Sequence, residues 1–181
     1  MSKLAMMFQT VFILVIAFTF SADARDYMKP ATVGGMRIEL HILPAEPFFT
    51  ADEVAAKKVK AGMLIMGGAE PLALDANTHP NHHLVVHIFD AKTGKAITTA
   101  QVSINFQQLD AKKKPVGDSV NVPIVIMQAI GKGVESTHYG NNVVMPSGYY
   151  SITVVANGKK VNFQMRLPKN ATKPSDKMDM H

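Results

Sequence analysis

Met36-Arg37-Ile38-Glu39-Leu40-His41-Ile42 alternates apolar and polar residues without a break. Successive side chains of a strand point to opposite faces, so Met36, Ile38, Leu40 and Ile42 share one face and Arg37, Glu39 and His41 the other. That is the pattern of a half-buried strand. Comparable runs follow at 63–66, 82–89, 97–109, 122–128, 149–156 and 160–167. Turn chemistry separates several of them, at Lys92-Thr93-Gly94-Lys95, Lys114-Pro115-Val116-Gly117-Asp118, Pro146-Ser147-Gly148 and Ala156-Asn157-Gly158-Lys159. Asn157-Gly158 is the strongest hairpin signal, because a type I′ turn needs positive φ at both central residues. One segment departs from the period of two. Thr50-Ala51-Asp52-Glu53 is a capping box and predicts a helix running to about Lys60, with Gly62 as its stop. About seven short strands with one helical excursion predict an all-β fold, an immunoglobulin-like antiparallel β-sandwich with one short helical insertion. A closed barrel satisfies the same pattern.

The ends bound this domain. Residues 1–24 place Lys3 before the uncharged run 8–20 and close on Ala22-Asp23-Ala24, the layout of a secretory signal peptide cleaved after Ala24. The competing reading is an uncleaved anchor, since the uncharged stretch is close to the roughly 20 residues that cross a bilayer. The Ala-x-Ala close and the polar Arg25-Asp26-Tyr27 favour cleavage, and the protein is expected in the periplasm. Removal leaves roughly 157 residues, the size of one domain, with 25–167 as the β-sandwich and 168–181 as a tail without periodicity that reads as disordered. With no cysteine and 47% hydrophobic residues, stability has to come from burial. The net charge of +5 is spread over single lysines and short lysine runs, and aromatic residues make up only 7%. That argues against a nucleic-acid partner, which calls for a clustered basic stripe with interleaved aromatics.

Four imidazoles gather in His79-Pro80-Asn81-His82-His83-Leu84-Val85-Val86-His87. On a strand, His83, Val85, His87 and Phe89 share one face. Neutral imidazole is a favoured ligand of zinc, copper and nickel. His83 is the member expected to ligate, whereas His79 and His82 read as loop residues and His87 as solvent-facing. The His83-x-x-x-His87 spacing lacks both the helix and the glutamate of a zinc protease, because position 84 is Leu. His138 lies in Glu135-Ser136-Thr137-His138-Tyr139-Gly140-Asn141-Asn142, where Tyr139-Gly140 suggests a tight turn in a loop. Met63 and Met66 precede Gly67-Gly68 in the segment that feeds the histidine cluster; thioethers beside imidazoles would select copper. Each of the two is equally well explained as part of a short core strand. Met36, Met127, Met145 and Met165 fall in strand patterns that packing explains, and Met178-Asp179-Met180-His181 reads as a frayed end. No nucleophile beside a base, phosphate-binding loop or carboxylate pair stands out, so no catalysis is expected.

Thr137-His138-Tyr139-Gly140-Asn141-Asn142-Val143-Val144-Met145, followed by Pro-Ser-Gly-Tyr-Tyr-Ser-Ile-Thr-Val, is similar to the "HYGDNV-x-M" loop of the bacterial periplasmic high-affinity iron-transport family, which are copper-binding, immunoglobulin-like dimers. Gly35-Met36-Arg37-Ile38-Glu39 and Leu43-Pro44-Ala45-Glu46-Pro47 resemble that family's opening strand and acidic segment, and His83-Leu84-Val85-Val86-His87 falls at its "HLEAD" strand. The likeness covers roughly 34–167. It implies copper bound by His83 and His138, with Glu46 as the acidic group and Met63 or Met66 as the thioether. It also implies a homodimer that assists an inner-membrane metal permease, with iron as a possible cargo. The family's acidic positions are Val85 and His87 here, which reduces the acidic face that iron would need. From a different class, the alternative is a β-sandwich interaction module whose edge strands bind a partner and which has no physiological metal.

Overall fold

The structure, a computed structural model, describes residues 27–67 and 79–168. The expected signal peptide and nearly all of the tail, including Met178, Met180 and His181, lie outside the described residues. Alternating sequence produces strands throughout: β1 (Met28–Val33), β2 (Met36–Pro44), β3 (Phe48–Phe49), β4 (Met63–Met66), β5 (His82–Asp90), β6 (Val102–Leu109), β7 (Pro115–Val122), β8 (Val125–Ala129), β9 (His138–Val143), β10 (Gly148–Ala156) and β11 (Lys159–Leu167). They form a seven-stranded sheet in the order β1-β2-β5-β9-β8-β4-β3 and a four-stranded sheet in the order β11-β10-β6-β7. All pairings are antiparallel except β3 with β4. The fold is therefore all-β and sandwich-like. Among the described residues no helix is long and apolar enough to cross a membrane.

The helix α1 (Ala51–Lys57) begins as its capping box dictates: Thr50 Oγ1 accepts from the Glu53 N–H and the Glu53 carboxylate accepts from the Thr50 N–H. It ends earlier than the sequence suggests. Lys58 takes the left-handed conformation at φ 52° and closes the helix, so Gly62 is not the stop. Asn157 and Gly158 both have positive φ, as the β10–β11 hairpin requires.

Four further expectations are corrected by the structure. The run at 97–109 is strand only from Val102. The run at 122–128 is divided between β7 and β8, with Pro123 in the gap, and β7 occupies the stretch read as a turn around Pro115. The supposed loop at His138 is the strand β9, buried along most of its length. Gly140 there serves close approach rather than a turn. A Cβ on it would lie 2.1 Å from the Leu84 carbonyl oxygen and 2.8 Å from Val85 Cα, so only glycine lets β9 lie against β5.

The main core fills the space between the sheets. Ile38, Leu40, Ile42, Leu84, Val86 and Ile88 from one sheet meet Ile104, Ile152, Val154 and Leu167 from the other, all essentially without solvent exposure. A second, smaller core of Ile65, Val85, Val125 and Met127, with Phe48 and Met63 packed on it, occupies the opposite face of the larger sheet. Its burial follows from curling. In a flat sheet β2 and β3, five positions apart, would be separated by roughly 24 Å at about 4.8 Å per strand. Only residues 45–47 join them, and that link reaches at most about 14 Å. The larger sheet must bend round on itself into a hollow, with residues 45–47 closing the gap between β2 and β3.

Candidate metal centre

Strand registry decides which side chains enter this hollow. His83 lies opposite Leu43 on one side and Asn142 on the other; Val85 lies opposite His41 and Gly140. His138 lies opposite Met127, and Met127 opposite Ile65. Alternation then places His41, His83, His87, His138, Met63 and Met127 on one face. Met66, opposite Ile126, points to the other face. Of the two thioether candidates, only Met63 shares the imidazoles' side of the sheet.

His83 is fully buried and His138 is 3% exposed. Their Nε2 atoms lie 3.4 Å apart. The hydrogen bonds behind them fix the tautomers. His138 Nδ1 is 2.7 Å from the Ser136 carbonyl oxygen, which can only accept, so Nδ1 carries the proton. His83 Nδ1 is 2.9 Å from Asn142 Oδ1. The Asn142 amide is oriented by the Glu46 backbone: its Oδ1 accepts from the Glu46 N–H and its Nδ2 donates to the Glu46 carbonyl. His83 Nδ1 therefore donates as well. Both Nε2 atoms are left as bare lone pairs facing each other.

Electrostatics keep them bare. Burial lowers the His83 imidazole to about 4, with His138 adding to the shift and the Asn142 hydrogen bond opposing it. Burial likewise holds His138 below the usual histidine range, against the pull of the Ser136 carbonyl. Near neutral pH no proton sits between the rings, so two acceptors confront each other where one cation would satisfy both. Two nitrogens about 2.0–2.1 Å from one tetrahedral ion are about 3.4 Å apart, which is the spacing seen. An N–H of each ring anchored on an oxygen is also the supporting arrangement usual for metal-ligating histidine.

The other expected residues have different fates. Glu46 reaches the site through its backbone, which clamps Asn142; its partly buried carboxyl is raised above the usual carboxylate range by desolvation. His87, expected at the solvent, is half-buried, with its ring centroid 5.1 Å from that of His138 and 4.9 Å from that of His41. Burial first, then His138 and His41, lower it to about 3. His82, expected in a loop, opens β5 and is 2% exposed on the face opposite His83. Sequence reading overlooked His41 and Asn142. The visible signal for His41 was its place on the polar face of 36–42, but its meeting with His87 depends on β2–β5 registry. Among the described residues no three His, Asp or Glu side chains form a metal-binding group.

No family model matches the chain, and no curated protein matches it. A crystal structure of a DUF4426 family protein from Pseudomonas aeruginosa is similar at 12% identity and a TM-score of 0.38, covering 78% of this chain and 94% of that one. The all-β fold stands on the strands and pairings described above.

Proposed function

We propose that this protein is a periplasmic copper-binding protein that holds the ion between His83 Nε2 and His138 Nε2, with Met63 supplying a thioether, and that it works as a carrier without turnover. The observation that carries this reading is the pair of buried, unprotonated nitrogens facing each other at 3.4 Å with both Nδ1 protons committed elsewhere. The donor set suits copper. Magnesium and calcium need mostly oxygen ligands, whereas two imidazoles and a thioether are soft enough for Cu(I). Copper would supply charge to neutralise the facing lone pairs; the chain supplies buried rings of fixed tautomer and the Glu46–Asn142 clamp. The likeness to the iron-transport family supports the further reading that the carrier acts as a homodimer beside an inner-membrane iron or copper permease.

Titration of the mature protein with Cu(I) and Cu(II) tests the site. His83→Ala and His138→Ala are each expected to weaken binding by more than the roughly 10- to 100-fold typical of lost supporting groups. Met63→Leu should weaken Cu(I) selectively, and Met66→Leu should leave it unchanged. Binding as tight as the parent's in both histidine variants would overturn the proposal.

A second reading, an interaction module, draws on β7. It is an edge strand, exposed at all but its last residue, and it displays Val116 and Val120. A free edge invites strand addition, although Gly117 at φ 70° and the bulge in β7, where residues 117–119 face Gln107, blunt it. Absence of stoichiometric copper uptake by the parent protein would favour this module.

A further inference from the structure

The facing nitrogens of His83 and His138 have almost no contact with solvent, and the Glu46 backbone holds Asn142 behind His83. An ion bound there needs a way in. From the buried pair a continuous row of imidazoles leads outward: the His83 and His138 ring centroids are 5.5 Å apart, His138 and His87 5.1 Å, and His87 and His41 4.9 Å. Exposure rises along the row, from none at His83 to about a fifth of the His41 side chain.

The outer end of the row has features that the buried site does not use. His41 Nε2 is shielded from solvent and has no hydrogen-bond partner, a costly state for a polar atom. Its nearest charged neighbour is Glu39 Oε2 at 3.8 Å. Arg37 pairs with Glu39 and stacks over Phe89, so the carboxylate is held in place and partly neutralised. Met28, opposite His41 in the β1–β2 register, is an exposed large apolar side chain at 42%. Directly opposed residues bring their Cβ atoms to about 4.5–5.5 Å, so the Met28 side chain starts from beside that of His41.

We infer that His41 and His87, with Met28 and Glu39 at the mouth, form an entry station that takes up a soft metal cation and passes it along the imidazole row to His83 and His138. This rests on the copper-binding reading above. The station holds the ion through two imidazoles rather than a complete ligand set. Loose holding is what transfer requires. A station on the route alters the rates of entry and exit together, because it lowers one barrier crossed in both directions, and it leaves the final equilibrium unchanged.

The test is stopped-flow uptake of aqueous Cu(II) by the full mature protein, with release read by a chromogenic chelator. Three variants are compared with the parent: His41→Gln, His41→Gln combined with His87→Phe, and the loop control His79→Ala. His41→Gln is expected to slow uptake and release alike by roughly tenfold or more, the scale of a lost supporting group at a metal site, with equilibrium affinity unchanged. The double variant should be slower still, and the control should match the parent. If the double variant does not fold, His41→Gln, at a partly exposed position, decides the matter alone. Parent-like rates in His41→Gln, or a loss of affinity without parallel slowing of release, overturn the station while leaving the buried site intact. Failure of the parent to bind Cu(II) or Cu(I) at all overturns the copper reading itself.

Discussion

The core between the two sheets and the hollow on the far side of the larger sheet are separated by one layer of strands, yet two neighbouring polar side chains of β9 meet different surroundings in them. Tyr139 points into the inter-sheet core, and its hydroxyl is satisfied twice, donating to the Ile97 carbonyl and accepting from the Ala100 N–H. Its sequence neighbour His138 points the other way, and its Nε2 meets only another acceptor. The same alternation divides Leu84 from His83 and Val86 from His87 on β5. Burial with every polar group paired is what stability favours; burial with facing lone pairs costs stability and is kept where a ligand completes the set. The inter-sheet core holds the fold together, and the hollow is the side on which the proposed copper site lies.

Gly140 joins the two regions, so its replacement should have the largest effect. Gly140→Ala forces a Cβ into the Leu84 carbonyl and the Val85 backbone and should cost upwards of about 4 kcal/mol. It would part β9 from β5 and disperse His83 and His138 at once; urea unfolding should show a collapsed midpoint. A midpoint near the parent's would mean that the two strands do not need this contact.

Separating the regions gives a smaller and more informative effect. Leu84→Ala removes a fully buried side chain from the inter-sheet core and should cost about 2–5 kcal/mol, with copper affinity of the folded protein unchanged. His83→Leu should do the reverse, removing the proposed metal site while shifting stability by no more than about 1 kcal/mol, because Asn142 Oδ1 still accepts from the Glu46 N–H. Paired unfolding and titration of both variants checks the contrast.

Acid sharpens it further. The folded imidazoles of His83 and His87 are depressed to about 4 and about 3, against roughly 6.5 in an unfolded chain. Between those values the unfolded state binds more protons, so stability rises with pH through this window. Full stability is present above about 6.5 and is lost as pH falls toward about 4 and then about 3. His83→Leu should flatten the upper part of that slope, and Leu84→Ala should lower the whole curve without changing its shape. An unaltered slope in His83→Leu would show that other groups govern acid unfolding.

Elements governed by local chemistry were legible in the chain itself. The alternation of 36–42, the capping box at Thr50 and the Asn157-Gly158 turn each specify structure through residues a few positions apart, and the structure contains all three. His83 and His138 were also visible as candidates, because imidazoles in a β-rich sequence are conspicuous. Long-range geometry was not visible. Tyr139-Gly140 has the composition of a turn, and only the packing of Leu84 and Val85 against it shows that the glycine is there to let two strands touch. Met63 and Met66 are equivalent in sequence; registry with β8 puts one on the imidazoles' side and sends the other away. His41 and His87 are 46 positions apart, and their meeting depends on β2 lying beside β5. Periodicity tells which residues share a face of their own strand. Which faces of different strands come together is set by registry and by the curl of the larger sheet, and those arise only when the whole chain has folded.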